Sequence, residues 1–189
     1  MNAPSAVTAI KPADCRYAAF YCEENIWWLA QREDLPPGDR FVVFVSNPTQ
    51  TCALWSQKLA APGDAVVWDY HVVLVIRGDK QSCVFDFDSR VDFPAGFEQY
   101  MQATFRATER LSTELRPWFR VVSAEDFVGH FSSDRSHMAQ GGSFRAPAPP
   151  WPPIQVPGQP PNSLLRFLDV QTAFLGDVLP REQFEALFS

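Results

Sequence analysis

Apolar positions along this chain alternate between two rhythms. Ile26, Leu29 and Ala30 recur at helical spacing, and no Gly or Pro interrupts the segment until Pro36-Pro37-Gly38, so a helix is expected over about 22–33. Phe97, Tyr100, Met101 and Phe105 repeat that spacing and predict a second helix over 97–105. Between them lies β-rich sequence. Residues 40–46 form one such run, ended by Asn47-Pro48; 51–57 suggest a short strand, and Ala61-Pro62-Gly63-Asp64 a turn. The longest β signal, residues 66–76, is almost continuously apolar and predicts one central strand buried on both faces. Gly78-Asp79 then makes a tight turn, and 82–88 return as the neighbouring strand.

Residues 115–122 predict a further strand that starts after Pro117. A short helix over 124–131 follows, with Ser123 as N-cap and Asp126 three residues on. From about 141 to 161 the composition turns to Pro and Gly, which reads as an extended strap along the surface. Residues 163–168 and 182–188 predict short amphipathic helices, and 1–14 a loose lead-in. One leading helix, then strands, then mixed elements argues for an α+β fold. At 189 residues the chain forms a single expected domain with a full core.

Charge and cysteine usage narrow the partners. A net charge of −6 speaks against nucleic acid or an anionic membrane. The first residues lack a charged-then-apolar signal pattern, and no apolar run nears the ~20 residues of a membrane span. Cys15, Cys22, Cys52 and Cys83 are scattered, which argues against a zinc site and a disulfide scaffold. Free thiols in a reducing compartment are expected.

Cys22 stands where the first helix begins. The positive end of a helix lowers a thiol pKa and offers free backbone N–H groups to an oxyanion. His71 lies within the long apolar run. With Gly78-Asp79 as a two-residue loop, Arg77 faces Lys80, and counting back along both strands sets His71 opposite Asp86. Asp86 and Asp88 then share a face, while Phe85 and Phe87 point the other way; Trp68 and Tyr70, by the same parity, face away from His71 into the core. Nucleophile, base and orienter thus follow in the order Cys, His, Asp, as in papain-like and transglutaminase-like enzymes. Spacing leaves this triad standing beside the alternative of a buried cysteine and a core histidine.

Four blocks carry a resemblance: residues 21–27 (YCEENIW), 67–74 (VWDYHVVL), 85–88 (FDFD) and 133–138 (SDRSHM). In order and spacing they resemble the protein N-terminal glutamine amidohydrolase family, from about Cys15 to the strap. The resemblance implies a monomeric cysteine hydrolase that deamidates N-terminal Gln to Glu and feeds the arginine branch of the N-degron pathway. It places the family's triad on Cys22, His71 and Asp86, on a papain/transglutaminase-like core: a helix bearing the cysteine, packed on a largely antiparallel sheet flanked by helices. No metal or cofactor is implied, and the expected location is the cytoplasm and the nucleus. Selecting a terminal Gln requires a receptor for its α-ammonium. Asp88 is the first candidate, followed by Glu24, Asp69 and Asp134; His137 is a candidate neighbour of the site. The rival readings are a papain- or transglutaminase-like enzyme acting on internal residues and a non-catalytic binder of N-terminal residues.

Overall fold

A computed structural model describes residues 10–106, 110–140 and 142–189. Residues 1–9 of the expected lead-in and Gly141 of the strap lie outside the described residues. Among those described, Ile10 is buried in the core and Pro12–Asp14 make a 3₁₀ turn, so the lead-in is anchored at its end.

The centre is a six-stranded antiparallel sheet. In chain order its strands are β1 (Asp39–Ser46), β4 (His71–Arg77), β5 (Ser82–Phe85), β6 (Ala95–Gly96), β7 (Trp118–Ser123) and β10 (Asp177–Leu179), arranged β10-β7-β1-β4-β5-β6. Two hairpins stand apart: β2 (Cys52–Trp55) with β3 (Ala65–Trp68), and β8 (Ala139–Gln140) with β9 (Ser143–Phe144). Helices cover both faces, as the double burial of β1 and β4 requires. Val42, Phe44, Val72, Leu74 and Phe85 pack against α1 (Cys22–Ala30), α3 (Ala124–His130) and α4 (Leu164–Leu168). Val43, Val45, Val73, Val75 and Val84 pack against α2 (Phe97–Thr104) and α5 (Arg181–Phe188).

The expected strand over 66–76 is two strands. The chain breaks at Asp69, and β3 leaves to pair with β2 while β4 enters the main sheet. The Asp69 side chain accepts from the Tyr70 amide at 3.0 Å, a local bond that competes with ladder pairing. The turn after β4 is also longer than two residues: Arg77 pairs with Ser82 and Leu74 with Phe85. The strap is extended but not merely superficial, since Ala146, Trp151 and Ile154 are buried and the Ser133 amide donates to the Ile154 carbonyl at 2.8 Å. Ser123 caps α3 as expected, its hydroxyl accepting from the Asp126 amide at 3.0 Å.

Four short strands, β6, β8, β9 and β10, were not expected, and the last of them extends the main sheet. β10 docks on β7, and Gly176 before it has φ of +73° and lies so close to the Val121 carbonyl that a Cβ would collide with it. Arg120 of β7 anchors the preceding loop, donating to the carbonyls of Phe167, Asp169, Thr172 and Leu175.

Candidate active site

Cys22 opens α1, and three local features fix that start. Asn25 clasps Ala18 through both its amide groups, at 2.8 and 2.9 Å, Phe20 turns the chain at φ of +69°, and no side chain caps the first helical amides. The Cys22 side chain lies against the start of β4, where His71 is the first residue and the Val72 backbone hydrogen-bonds to the thiol.

His71 and Asp86 meet, though not by the pairing the turn predicted. The observed register carries Asp86 opposite Val73, two positions from His71 on the same face. Diagonal neighbours remain within reach of long side chains, and His71 Nε2 lies 2.8 Å from Asp86 Oδ1. A slip of two preserves the face where a slip of one would have lost it. Asp86 also accepts from the Asp88 amide at 2.9 Å, Tyr100 Oη at 2.8 Å and Gln57 Nε2 at 3.4 Å. Burial raises its pKa, but the His71 charge and these donors outweigh burial and hold the carboxyl below its ordinary value. His71 is the converse: burial lowers its pKa, and Asp86 raises it to a net position above the ordinary value. With Nε2 committed, the buried Nδ1 makes no hydrogen bond among the described residues and is the nitrogen left for a thiol.

Contrary to expectation, the helix start does not depress the Cys22 thiol. Removal from water pushes it well above the ordinary value, and Glu23, Asp88 and Asp69 add to the effect, against one backbone hydrogen bond from Val72. Glu23 Oε2 lies 3.6 Å from the sulfur.

A cavity of about 390 Å³ contains Cys22, His71 and Asp88, with Trp68, Tyr70 and His137 among its walls. Trp68 and Tyr70 are thus walls rather than remote core, because the break at Asp69 cancels strand parity. Trp68 stacks on His71 at 5.5 Å between ring centres and donates to Gln57, which itself holds Asp86. A larger cleft of about 690 Å³ between Pro48, Trp118 and Pro180 has neither Cys nor His in its lining.

The four acidic candidates part company. Asp88 borders the cavity, mostly buried, with Tyr17 Oη donating to it at 2.7 Å, and burial raises its pKa. Asp69 also borders it, exposed. Glu24 does not: it is fully buried, paired with Arg135 through two 2.8 Å bonds and with Trp151 Nε1 at 2.7 Å. Asp134 is exposed and holds the Ser136 amide and Asn162. His71, Asp86 and Asp88 could hold a metal ion, their ligand atoms lying within 4.8 Å of one another, but Nε2 and both Asp86 oxygens already serve internal hydrogen bonds. Sequence reasoning missed Gln57 and Tyr100, which no local spacing ties to Asp86, and Glu23, whose side chain reaches the site from within α1.

The arrangement suits acyl transfer to a thiol: a cysteine at an uncapped helix start and an oriented imidazole line one small cavity. The chain is 38% identical over 166 residues to protein N-terminal glutamine amidohydrolase of Homo sapiens, covering 82% of this chain and 80% of that one. It is 42% identical over 153 residues to the protein of that name from Drosophila pseudoobscura pseudoobscura (76% and 74%), and 39% over 156 residues to that of Bos taurus (78% and 75%). The sequence profile of the N-terminal glutamine amidase family matches residues 17–188, and the chain belongs to that family.

Proposed function

We propose that this protein hydrolyses the side-chain amide of an N-terminal Gln in proteins and peptides, leaving Glu and releasing ammonia. The observation that carries the reading is the buried His71–Asp86 pair, whose free Nδ1 shares a cavity with the Cys22 sulfur. Cys22 passes its proton to His71 and attacks the amide carbon. Charge develops on the amide oxygen, which the uncapped Cys22 backbone N–H receives. Collapse breaks the C–N bond, the His71 proton goes to the departing nitrogen, and a thioester remains. Water, deprotonated by His71, attacks the thioester; the γ-carboxylate leaves and Cys22 recovers its proton. Asp86 fixes the imidazole and balances its charge.

Asp88 receives the substrate's α-ammonium, with exposed Asp69 as a second contact. A raised Asp88 pKa fits a buried carboxyl that gains a cationic partner only when substrate arrives. The fold is read as a papain/transglutaminase-like core in one catalytic domain, acting as a monomer in cytoplasm and nucleus and supplying Glu termini to the arginine branch of the N-degron pathway.

The test is mass spectrometry on three peptides, one beginning with Gln, its N-acetylated twin and one beginning with Asn. The expected result is a gain of about one mass unit (the amide-to-acid change) on the free Gln peptide alone, with wild type and not with Cys22→Ala. Deamidation of the acetylated peptide, or cleavage of the chain, would replace this reading with that of an internal-residue enzyme. Unchanged peptides would leave only a binding role.

A further inference from the structure

The cavity holds a second imidazole backed by a buried carboxylate. His137 lines it beside Cys22, and its Nε2 lies 3.3 Å from Glu23 Oε1. Glu23 is fully buried and is the same side chain whose Oε2 lies 3.6 Å from the Cys22 sulfur. Tyr70 Oη donates to that Oε2 at 3.0 Å, and the Tyr70 ring meets the His137 ring edge-on at 6.5 Å. Glu23 Oε1 and both His137 nitrogens are buried without a hydrogen bond among the described residues. Buried polar groups are rarely left so, and such a cluster around a nucleophile asks for an explanation.

The loop that carries His137 is held from the same helix. Arg135 adopts φ of +63°, starts the 3₁₀ turn Ser136–Met138, and is locked to Glu24. Consecutive carboxylates at the start of α1 thus meet Arg135 and His137 of one loop, and His137 lines the same cavity as Cys22. A bare carboxylate there would oppose thiolate formation. The Nε2 side of His137 meets that carboxylate at 3.3 Å, and its other ring nitrogen, Nδ1, is buried without a partner among the described residues.

We infer that His137, positioned by Glu23, is the second donor to the oxygen of the scissile amide, joining the Cys22 backbone N–H. This rests on the deamidation reading above. Nδ1–H donates to the oxygen as it gains negative charge; no bond to His137 forms or breaks, and its proton is not consumed.

The test compares His137→Phe and His137→Asn with wild type on a free N-terminal Gln peptide. Phe keeps the ring and removes both donors; Asn places an amide N–H near the position of Nδ1. The expected loss for Phe is about 10²–10³-fold in kcat with KM changed less than about threefold, and Asn regains at least tenfold of it. A purely structural role would move KM and thermal stability together and treat the variants alike. An active wild type with the Phe variant within threefold of it, or with Asn no better than Phe, overturns this inference alone. An inactive wild type overturns the deamidation reading, and this inference with it.

Discussion

His71 and Asp86 shift each other's titration in opposite directions, and in the proposed reaction that titration sets the pH dependence. Asp86 has a depressed pKa, so its contribution to stability is present above the ordinary carboxyl value and is lost as pH falls through its folded value. His71 has a raised one, so the stability it contributes is full below about 6.5 and is lost as pH rises through the folded value. General-base work needs the neutral imidazole, which puts the acid limb of kcat/KM above about pH 6.5. In Asp86→Asn the largest influence left on His71 is burial, which lowers its pKa, against the smaller raising effect of the Asp88 and Glu23 charges. That variant is expected to lose about 10²–10⁴-fold in kcat/KM and to show its acid limb at lower pH; a profile that only scales down would refute the coupling. The facing of His71 and Asp86 was legible because alternation along a strand survives an error of two in the turn. Glu23 and Tyr100 were not legible, since their relation to the site is created by a helix packing on a sheet. No periodicity encodes that.

The helix that presents Cys22 and the loop after α3 are joined by a buried ion pair and a strap. Glu24 receives Arg135 and Trp151, so the Pro-rich segment is pinned directly behind the start of α1. Removing one partner of a buried pair strands the other, at about 3–5 kcal/mol. Arg135→Met or Glu24→Gln should therefore lower the urea unfolding free energy by about that much, and the double variant should lose less than the two losses added together. Single variants costing under about 1 kcal/mol would show that the pair holds nothing. Composition revealed the strap as extended, because Pro removes donors and fixes φ. It did not reveal that Trp151 turns inward, since a Trp among prolines has no period to give its direction. The break at Asp69 was hidden for a related reason: Val, Trp and Tyr on both sides suit a strand equally well, whichever sheet receives it.

The two faces of the main sheet divide the work. The α1, α3 and α4 side positions Cys22, and the α2 side supplies Tyr100 to Asp86. The reactive groups thus collect at the end of β4, where both layers meet. Leu164 and Leu168 of α4 wall the cavity, and the loop that follows them hangs on Arg120. Arg120→Met should speed hydrogen exchange at amides 167–175 and raise KM for the Gln peptide, with α1 amides unchanged. Unaltered exchange there would mean that the loop is held by other contacts. The order of helix-like and strand-like segments disclosed the mixed class, and the family resemblance implied the antiparallel sheet. The late addition of β10 depends on the turn at Gly176 and on Arg120, whose partners lie some fifty residues away.

All four cysteines hold their protons more tightly than a free thiol does. Cys22 sits well above the ordinary value, Cys52 is pushed up to about 12, and Cys15 and Cys83 are raised. Peroxide attacks the thiolate and scarcely touches the thiol. In the proposed reaction Cys22 is therefore a poor target for peroxide until His71 draws off its proton, and the resting protein should lose activity to peroxide more slowly than a free thiol reacts.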